Sequence, residues 1–233
     1  MQVKNAVVLV TGANRGLGQA FVNALLEAGA AKIYAAARNP ASITLAGVTP
    51  IQLDVTNAAD IAAAAARCTD VTLLINNAGI GRGSSFLAPG SADAARAELE
   101  TNFFGPLALS QAFAPALKAN GGGAIVNVLS VLSWLNLSPA ATYSASKAAA
   151  WSLTNGLRGE LRGQGTQVVG VHVGYMDTDM TRGLDAPKAN PLDVARQTLA
   201  AVEAGQDEVL ADELSRGVKQ GLSASCLLYT SPS

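Results

Sequence analysis

With 233 residues, 49% of them apolar and 14% charged, the chain is long enough to bury one α/β core and too short for two domains of ordinary size. Its formal net charge of −1 comes without a lysine or arginine run, so it offers no field for a polyanion, and nucleic acid is not an expected partner. Two cysteines, Cys68 and Cys226, stand far apart with no histidine or further cysteine at ligand spacing, so no zinc site or disulfide framework is expected and the reading is a reduced, cytoplasmic protein.

In chain order the first element is an apolar run, "AVVLV", entered without a charged and apolar leader. No apolar run reaches the roughly 18 residues of a membrane span, so neither export nor a membrane partner is expected. The run leads into "TGANRGLG", residues 11–18, and then into an amphipathic helix ending at Gly29. Gly12 suits a tight turn off a strand, Gly16 lets backbone approach an anion with no Cβ in the way, and Gly18 lets a helix pack closely on the strand. Further β-branched runs follow at "KIYAAA", "PIQL", "VTLLI", "AIVNVL", "QVVGVHV" and "DEVLA", separated by segments of crossover-helix length. One such segment, "IAAAAAR", is a good helix former and carries no functional message. The runs are continuously apolar instead of alternating, as strands covered on both faces must be. The expected fold is therefore a doubly wound, mostly parallel seven-stranded α/β Rossmann sheet with helices on both faces. It forms a single domain over 1–225, and the Ser/Thr/Pro-rich "CLLYTSPS" at 226–233 is set apart as an atypical tail.

Four positions carry reactive chemistry. Tyr143 and Lys147 stand four residues apart in "YSASK", so on a helix they share a face. A neighbouring cation lowers an acid by roughly 1 to 3 units, which would bring a phenol of pKa about 10 toward the range of a useful general acid or base. Ser130 ends the run "AIVNVLS", at the sheet edge where such folds bind ligands, and its hydroxyl suits polarising a carbonyl. Pro106 follows Asn102 by four residues in "ETNFFGPLAL" and lacks an N–H, leaving the Asn102 carbonyl without its usual helical donor. That carbonyl either holds a relay water or marks a simple kink. His172, the single histidine, lies inside an apolar strand and reads as structural.

Together "TGANRGLG", "NNAG" at 76–79, "YSASK" and a serine thirteen residues before the tyrosine resemble the short-chain dehydrogenase/reductase family over about residues 5–225. The resemblance implies hydride transfer between a nicotinamide cofactor and a carbonyl or alcohol carbon. It implies a catalytic set of Asn102, Ser130, Tyr143 and Lys147, with Lys147 also binding the nicotinamide ribose. The cofactor would be held by Gly12, Asn14, Arg15, Gly16, Leu17 and Gly18 in the turn, by Asp54 and Val55, by Asn77, Ala78 and Gly79, and by Thr178. Asp54 would contact the adenine amine, or else cap the next helix.

A fold of this kind that prefers NAD(H) presents a carboxylate at the end of its second strand. Here Ala37 and Arg38 stand there, and Arg15 lies in the turn, so two guanidinium groups are expected to embrace a 2′-phosphate and NADP(H) to be preferred over NAD(H). The chain departs from the family where Val173 replaces a proline before Gly174, leaving the course of that loop open. The loop continues through "TRGLDAPKANP", where a substrate lid is expected. Trp134, Leu135, Phe86, Tyr175, Met176 and Met180 give the pocket an apolar character, with Trp134 and Phe86 equally readable as core, and a small hydrophobic carbonyl or alcohol follows as substrate. A nucleotide-sensing regulator without chemistry is the alternative; an epimerase or dehydratase of the longer relatives would need a further substrate domain. By resemblance the protein is a homo-oligomer, a tetramer or dimer, and Gly156 and Gly159 in the helix after Lys147 suit close packing against another helix.

Overall fold

A computed structural model of the chain describes residues 1–223; the tail at 226–233, with Cys226, lies outside the described residues. Seven parallel strands form one sheet: β1 Val7–Thr11, β2 Lys32–Ala37, β3 Thr49–Gln52, β4 Leu73–Asn76, β5 Ala124–Val128, β6 Gln167–His172 and β7 Glu208–Leu210, in the order β3-β2-β1-β4-β5-β6-β7. The helices are α1 Gly16–Glu27, α2 Ala58–Arg67, α3 Ser91–Leu99, α4 Gly105–Ala119, α5 Ala141–Leu161, α6 Pro191–Glu203 and α7 Glu213–Gly221. The expected parallel, doubly wound sheet is what forms.

The continuous apolar runs are explained by two separate cores. Side chains alternate along a strand, so Val8, Val10, Leu73 and Ile75 point to one face while Leu9 and Leu74 point to the other. The first face is covered by Phe21, Val22 and Leu25 of α1 and Val194, Leu199 and Val202 of α6. The second is covered by Ile61 of α2, Leu109, Phe113 and Leu117 of α4, and Leu157 and Leu161 of α5. Burying a side chain of this size contributes roughly 1.5–3 kcal/mol, so neither face of a central strand can afford a polar residue without a partner. No described helix is long and apolar enough to cross a membrane.

Register positions the site. Thr11 pairs with Ala36 and Val10 with Ile75, and Asn76 pairs with Asn127. The carboxyl ends of β1, β2, β4 and β5 therefore finish along one edge, and the turns that leave them carry the residues singled out above. Between α3 and α4 the chain widens into a π-helical stretch, Glu100–Phe104, in which the Gly105 N–H reaches back five residues to the Glu100 carbonyl. Pro106 directly after it has no N–H to give, which accounts for the irregularity.

Candidate active site

Gly12 lies at φ +64°, a left-handed conformation that a side chain disfavours, and turns the chain off β1 into α1. A Cβ on Gly18 would stand 2.1 Å from the Gly12 carbonyl oxygen and 2.6 Å from Asn77 Nδ2, so the helix approaches the strand end as closely as a bare backbone permits. Leu17 is buried in the core beneath the turn, whereas Arg15 at its crest is exposed and extended and gives α1 no side-chain cap. There is also no acidic residue in the first turn of α1, and no side chain among the described residues caps its leading N–H groups.

The "NNAG" segment is built into the same frame. Thr11 donates its hydroxyl to the Ile75 carbonyl at 3.3 Å and accepts the N–H groups of Asn77 and Ala78, both at 3.0 Å. Asn77 Nδ2 returns bonds to the carbonyls of Thr11 (2.8 Å) and Gly12 (3.3 Å). Thr11 was not among the expected site residues. The signal for it is a buried hydroxyl closing an otherwise apolar strand, which demands polar partners.

Tyr143 and Lys147 share the inner face of α5, near Ser130 at the end of β5. Lys147 is 5% exposed, its Nζ donates to the Val128 carbonyl at 2.8 Å, and it lies 5.7 Å from the centre of the Tyr143 ring. The expected lowering of the phenol is not what this arrangement produces. Burial pushes Tyr143 up to about 12, with Glu98 adding to the rise and the Ser130 hydroxyl opposing it. Burial also draws Lys147 down to about 8. Taking water from both groups disfavours each charged form, and this outweighs their attraction. Ser130 Oγ itself accepts from Leu132 N at 3.1 Å and lies 3.5 Å from the Val173 carbonyl.

A stability consequence follows for Lys147. In the folded chain its ammonium loses its proton near pH 8, against 10.5 for the ordinary group. Between these values the unfolded chain holds more protons, so the penalty is fully present below pH 8 and is relieved as pH rises. The stability of Lys147→Met relative to the parent is expected to fall by about 3 kcal/mol between pH 7 and pH 10.5, beside a pH-independent cost of leaving the Val128 carbonyl without its donor. Urea melts of the two proteins at pH 7 and 10 check this; a constant difference would refute it.

Asn102 is buried, and its side chain is fully engaged: Oδ1 accepts the Ile80 N–H, while Nδ2 donates to the Ile80 carbonyl and to Ser146 Oγ, all at 2.9 Å. Ser146 Oγ in turn donates to the Tyr143 carbonyl at 2.7 Å. Gly79 is packed between the two groups, for a Cβ there would lie 3.2 Å from Asn102 Oδ1 and 3.7 Å from Lys147 Nζ. One turn before Asn102, Glu98 is wholly buried and accepts the Arg82 N–H at 2.6 Å. The sequence "SADAARAELE" reads as an ordinary charged helix and gave no signal for it.

The cofactor-facing residues are only partly brought together. Thr178 reaches the glycine turn: its Cγ2 would meet a Cβ on Gly16 at 3.4 Å. Asn14 sits half-buried in the turn and Val55 is buried beside Gly105. Asp54 does not cap α2; that is done by Asn57, which accepts from Ala59 N and Asp60 N. Asp54 instead accepts the Thr56 N–H at 2.9 Å and hydroxyl at 2.8 Å, and these bonds, with the charge of Arg38, hold its carboxyl below the ordinary value. Arg15 pairs with Asp179 at 3.4 Å, both partners well exposed. Around this pair a cavity of about 530 Å³ is bordered by Gly16, Thr178, Arg182 and Lys188.

Val173, in place of the family's proline, is buried; its carbonyl accepts the Val131 N–H at 3.0 Å. The loop beyond it doubles back, with Asp177 N bonded to the Ala189 carbonyl and Ala189 N to the Tyr175 carbonyl. Trp134 packs inside: its ring stacks on His172 at 3.7 Å, and His172 is held between Ser130 O at 3.2 Å and Glu208 at 3.6 Å. Burial draws His172 down to about 4, so the imidazole is neutral. Phe86 and Met180 are mostly exposed, and Phe86 does not line the hollow of about 800 Å³ bordered by Arg82, Ser84, Pro89, Asp93 and Pro139.

Residues 6–189 match the family described as short chain dehydrogenase. The bovine dehydrogenase/reductase SDR family member 7B is 31% identical over 91% of this chain and 75% of its own length. The 3-oxoacyl-[acyl-carrier-protein] reductase FabG of Vibrio cholerae is 31% identical over 88% of this chain and 85% of its own. Among solved structures, a short chain dehydrogenase from Burkholderia cenocepacia in complex with NADP superposes with a TM-score of 0.95 at 43% identity, covering 100% of both chains.

Proposed function

Since the chain belongs to the short-chain dehydrogenase/reductase family and is an oxidoreductase of that family, we propose that it reduces a small, hydrophobic aldehyde or ketone, or oxidises the matching alcohol, with NADP(H) as its preferred cofactor. The observation that carries this reading is the convergence of Tyr143, Lys147 and Ser130 on the sheet edge that also carries the glycine turn.

The glycine turn fits a dinucleotide: Gly12 and Gly18 leave no room for a Cβ, and the first N–H groups of α1 have no side-chain acceptor. When bound, the nicotinamide supplies the hydride. Gly12, Asn14, Gly16, Leu17 and Gly18 would hold its phosphates, Asp54 and Val55 its adenine, Asn77, Ala78 and Gly79 its riboses, Thr178 its carboxamide and Lys147 the nicotinamide ribose. Arg38 would read the 2′-phosphate, with Arg15 exchanging Asp179 for the more highly charged anion.

Tyr143 then acts as general acid. A neutral phenol at neutral pH has a proton to give to an alkoxide, and Ser130 aligns the carbonyl oxygen that receives it. Lys147, needing little to lose its charge, returns a proton toward Tyr143 along a chain completed by a water at the Asn102 carbonyl. Gly156 and Gly159 leave open space where a Cβ would stand, a face suited to a second copy in a homo-oligomer.

The test is NADPH consumption across a panel of aldehydes, ketones and quinones, with NADH in parallel. Turnover of hydrophobic carbonyls with higher kcat/KM for NADPH is expected, and Arg38→Asp is expected to reverse much of that preference by adding repulsion to a lost cation. Equal or better kcat/KM with NADH in the parent protein would remove Arg38 and Arg15 as phosphate readers. No turnover of any carbonyl would sink the reductase reading.

A further inference from the structure

We propose that Glu98 is a positioning residue of the reaction, which clamps the Ile80–Arg82 backbone against Tyr143 together with Asn102 and whose carboxylate opposes the phenolate; this rests on Tyr143 being the proton donor. Glu98 is 0% exposed on α3, one helical turn ahead of Asn102. Its Oε1 takes the Arg82 N–H at 2.6 Å, while Asn102 takes the N–H and carbonyl of Ile80 at 2.9 Å each. Between these grips lies Gly81, where a Cβ would come within 3.4 Å of the Tyr143 ring. Three bonds from two adjacent turns therefore fix the wall on which that ring rests.

Holding an N–H does not require a charge. A glutamine would accept the same bond, and a buried carboxylate is costly unless its oxygens are satisfied. Yet Glu98 Oε2 is buried with no hydrogen-bond partner among the described residues. What the charge adds is its action on Tyr143: a negative group on that side opposes the phenolate, and Glu98 contributes to the rise of the phenol. The charged groups bearing on the ring are Lys147 from its own helix, 5.7 Å from the ring centre, and Glu98 from α3; Ser130, Asn102, Ser146 and the Ile80–Arg82 backbone bring only neutral groups. Glu98 thus keeps the phenol in its acid form to higher pH.

The test compares Glu98→Gln, Glu98→Asp and the parent by the pH profile of carbonyl reduction and by hydrogen exchange of the Ile80 and Arg82 amides. Removing the charge stabilises phenolate, and the acid form is lost as pH rises, so in Glu98→Gln the alkaline limb of kcat is expected to move to lower pH by half a unit or more, about threefold in proton activity. Exchange at both amides is expected to stay within about twofold of the parent, since an acceptor remains. Glu98→Asp keeps the charge but withdraws the oxygen by one methylene: its limb is expected to stay in place while Arg82 exchange and KM rise. An unmoved limb in Glu98→Gln overturns the proposal. Should the Gln protein not fold, a limb in Glu98→Asp shifted by more than about half a unit overturns it instead. An active Tyr143→Phe protein would point to failure of the underlying reading, whatever the Glu98 variants do.

Discussion

Tyr143→Phe is expected to reduce kcat by at least a hundredfold while leaving NADPH affinity within about twofold of the parent, because a positioned acid is worth roughly 10²–10⁴. The substitution deletes one oxygen from a ring that packs against Gly81 and keeps the carbon framework of α5 intact. The proposed cofactor cradle is built on Thr11, Gly12, Gly18 and Asn77, whose mutual bonds do not pass through the phenol. Chemistry and binding should therefore separate: steady-state rates give the first, and quenching of tryptophan fluorescence by NADPH gives the second. Retention of more than a tenth of the parent activity would end the assignment of Tyr143 as acid. A loss confined to KM would likewise show that the hydroxyl binds substrate without serving the transition state.

Gly18→Ala is the second change with a large expected effect. The new methyl would sit 2.1 Å from the Gly12 carbonyl oxygen, and that oxygen belongs to a turn already bonded to Asn77. That oxygen is backbone, and Asn77 Nδ2, 2.6 Å from the new methyl, is held by two hydrogen bonds, so α1 must move off β1. Overpacking a core by one carbon typically costs about 1–3 kcal/mol, and a backbone clash lies at or beyond the top of that range. A fall in urea midpoint equivalent to about 3 kcal/mol and a loss of NADPH binding of a hundredfold or more are expected. Gly16→Ala is the internal control: its Cβ would meet only Thr178 Cγ2, at 3.4 Å, leaving the φ of +54° as the principal cost, about 1–2 kcal/mol. A Gly18→Ala protein as stable as Gly16→Ala would show that the helix and strand are not locked at this point.

The sheet was legible because its strands are apolar on both faces; the runs "KIYAAA" and "AIVNVL" coincide with β2 and β5 to within a residue. The run "VTLLI" starts two residues before the strand it forms, Leu73–Asn76. The turn of Gly12, Gly16 and Gly18 and the shared helix face of Tyr143 and Lys147 are legible because local spacing alone places them. What was not visible depends on distant parts of the chain. Arg15 finds Asp179, 164 residues away, a partner no local pattern announces. The phenol rises instead of falling because burial sums over neighbours from α3, β5 and the loop after β4, while the spacing of Tyr143 and Lys147 reports one neighbour. Trp134 was left between pocket and core, and its partner His172 lies 38 residues on, in a strand no local pattern connects to it. Glu98 illustrates the general reason: a carboxylate on a short polar helix is solvated by default, and only the packed fold reveals that this one is not.

The strand order has a consequence for biosynthesis. β1 lies between β2 and β4, so its second edge is closed only when residues 73–75 arrive. At about 5–20 residues per second the ribosome needs roughly 3–13 s to extend the chain from β1 to β4. During that interval the nascent chain can assemble only the β3-β2-β1 half, with the apolar edge of Val8, Leu9 and Val10 unpaired. The strand that anchors the glycine turn is thus also the edge most open to wrong pairing while the protein is being made, and it is the arrival of "VTLLI" that ends the exposure.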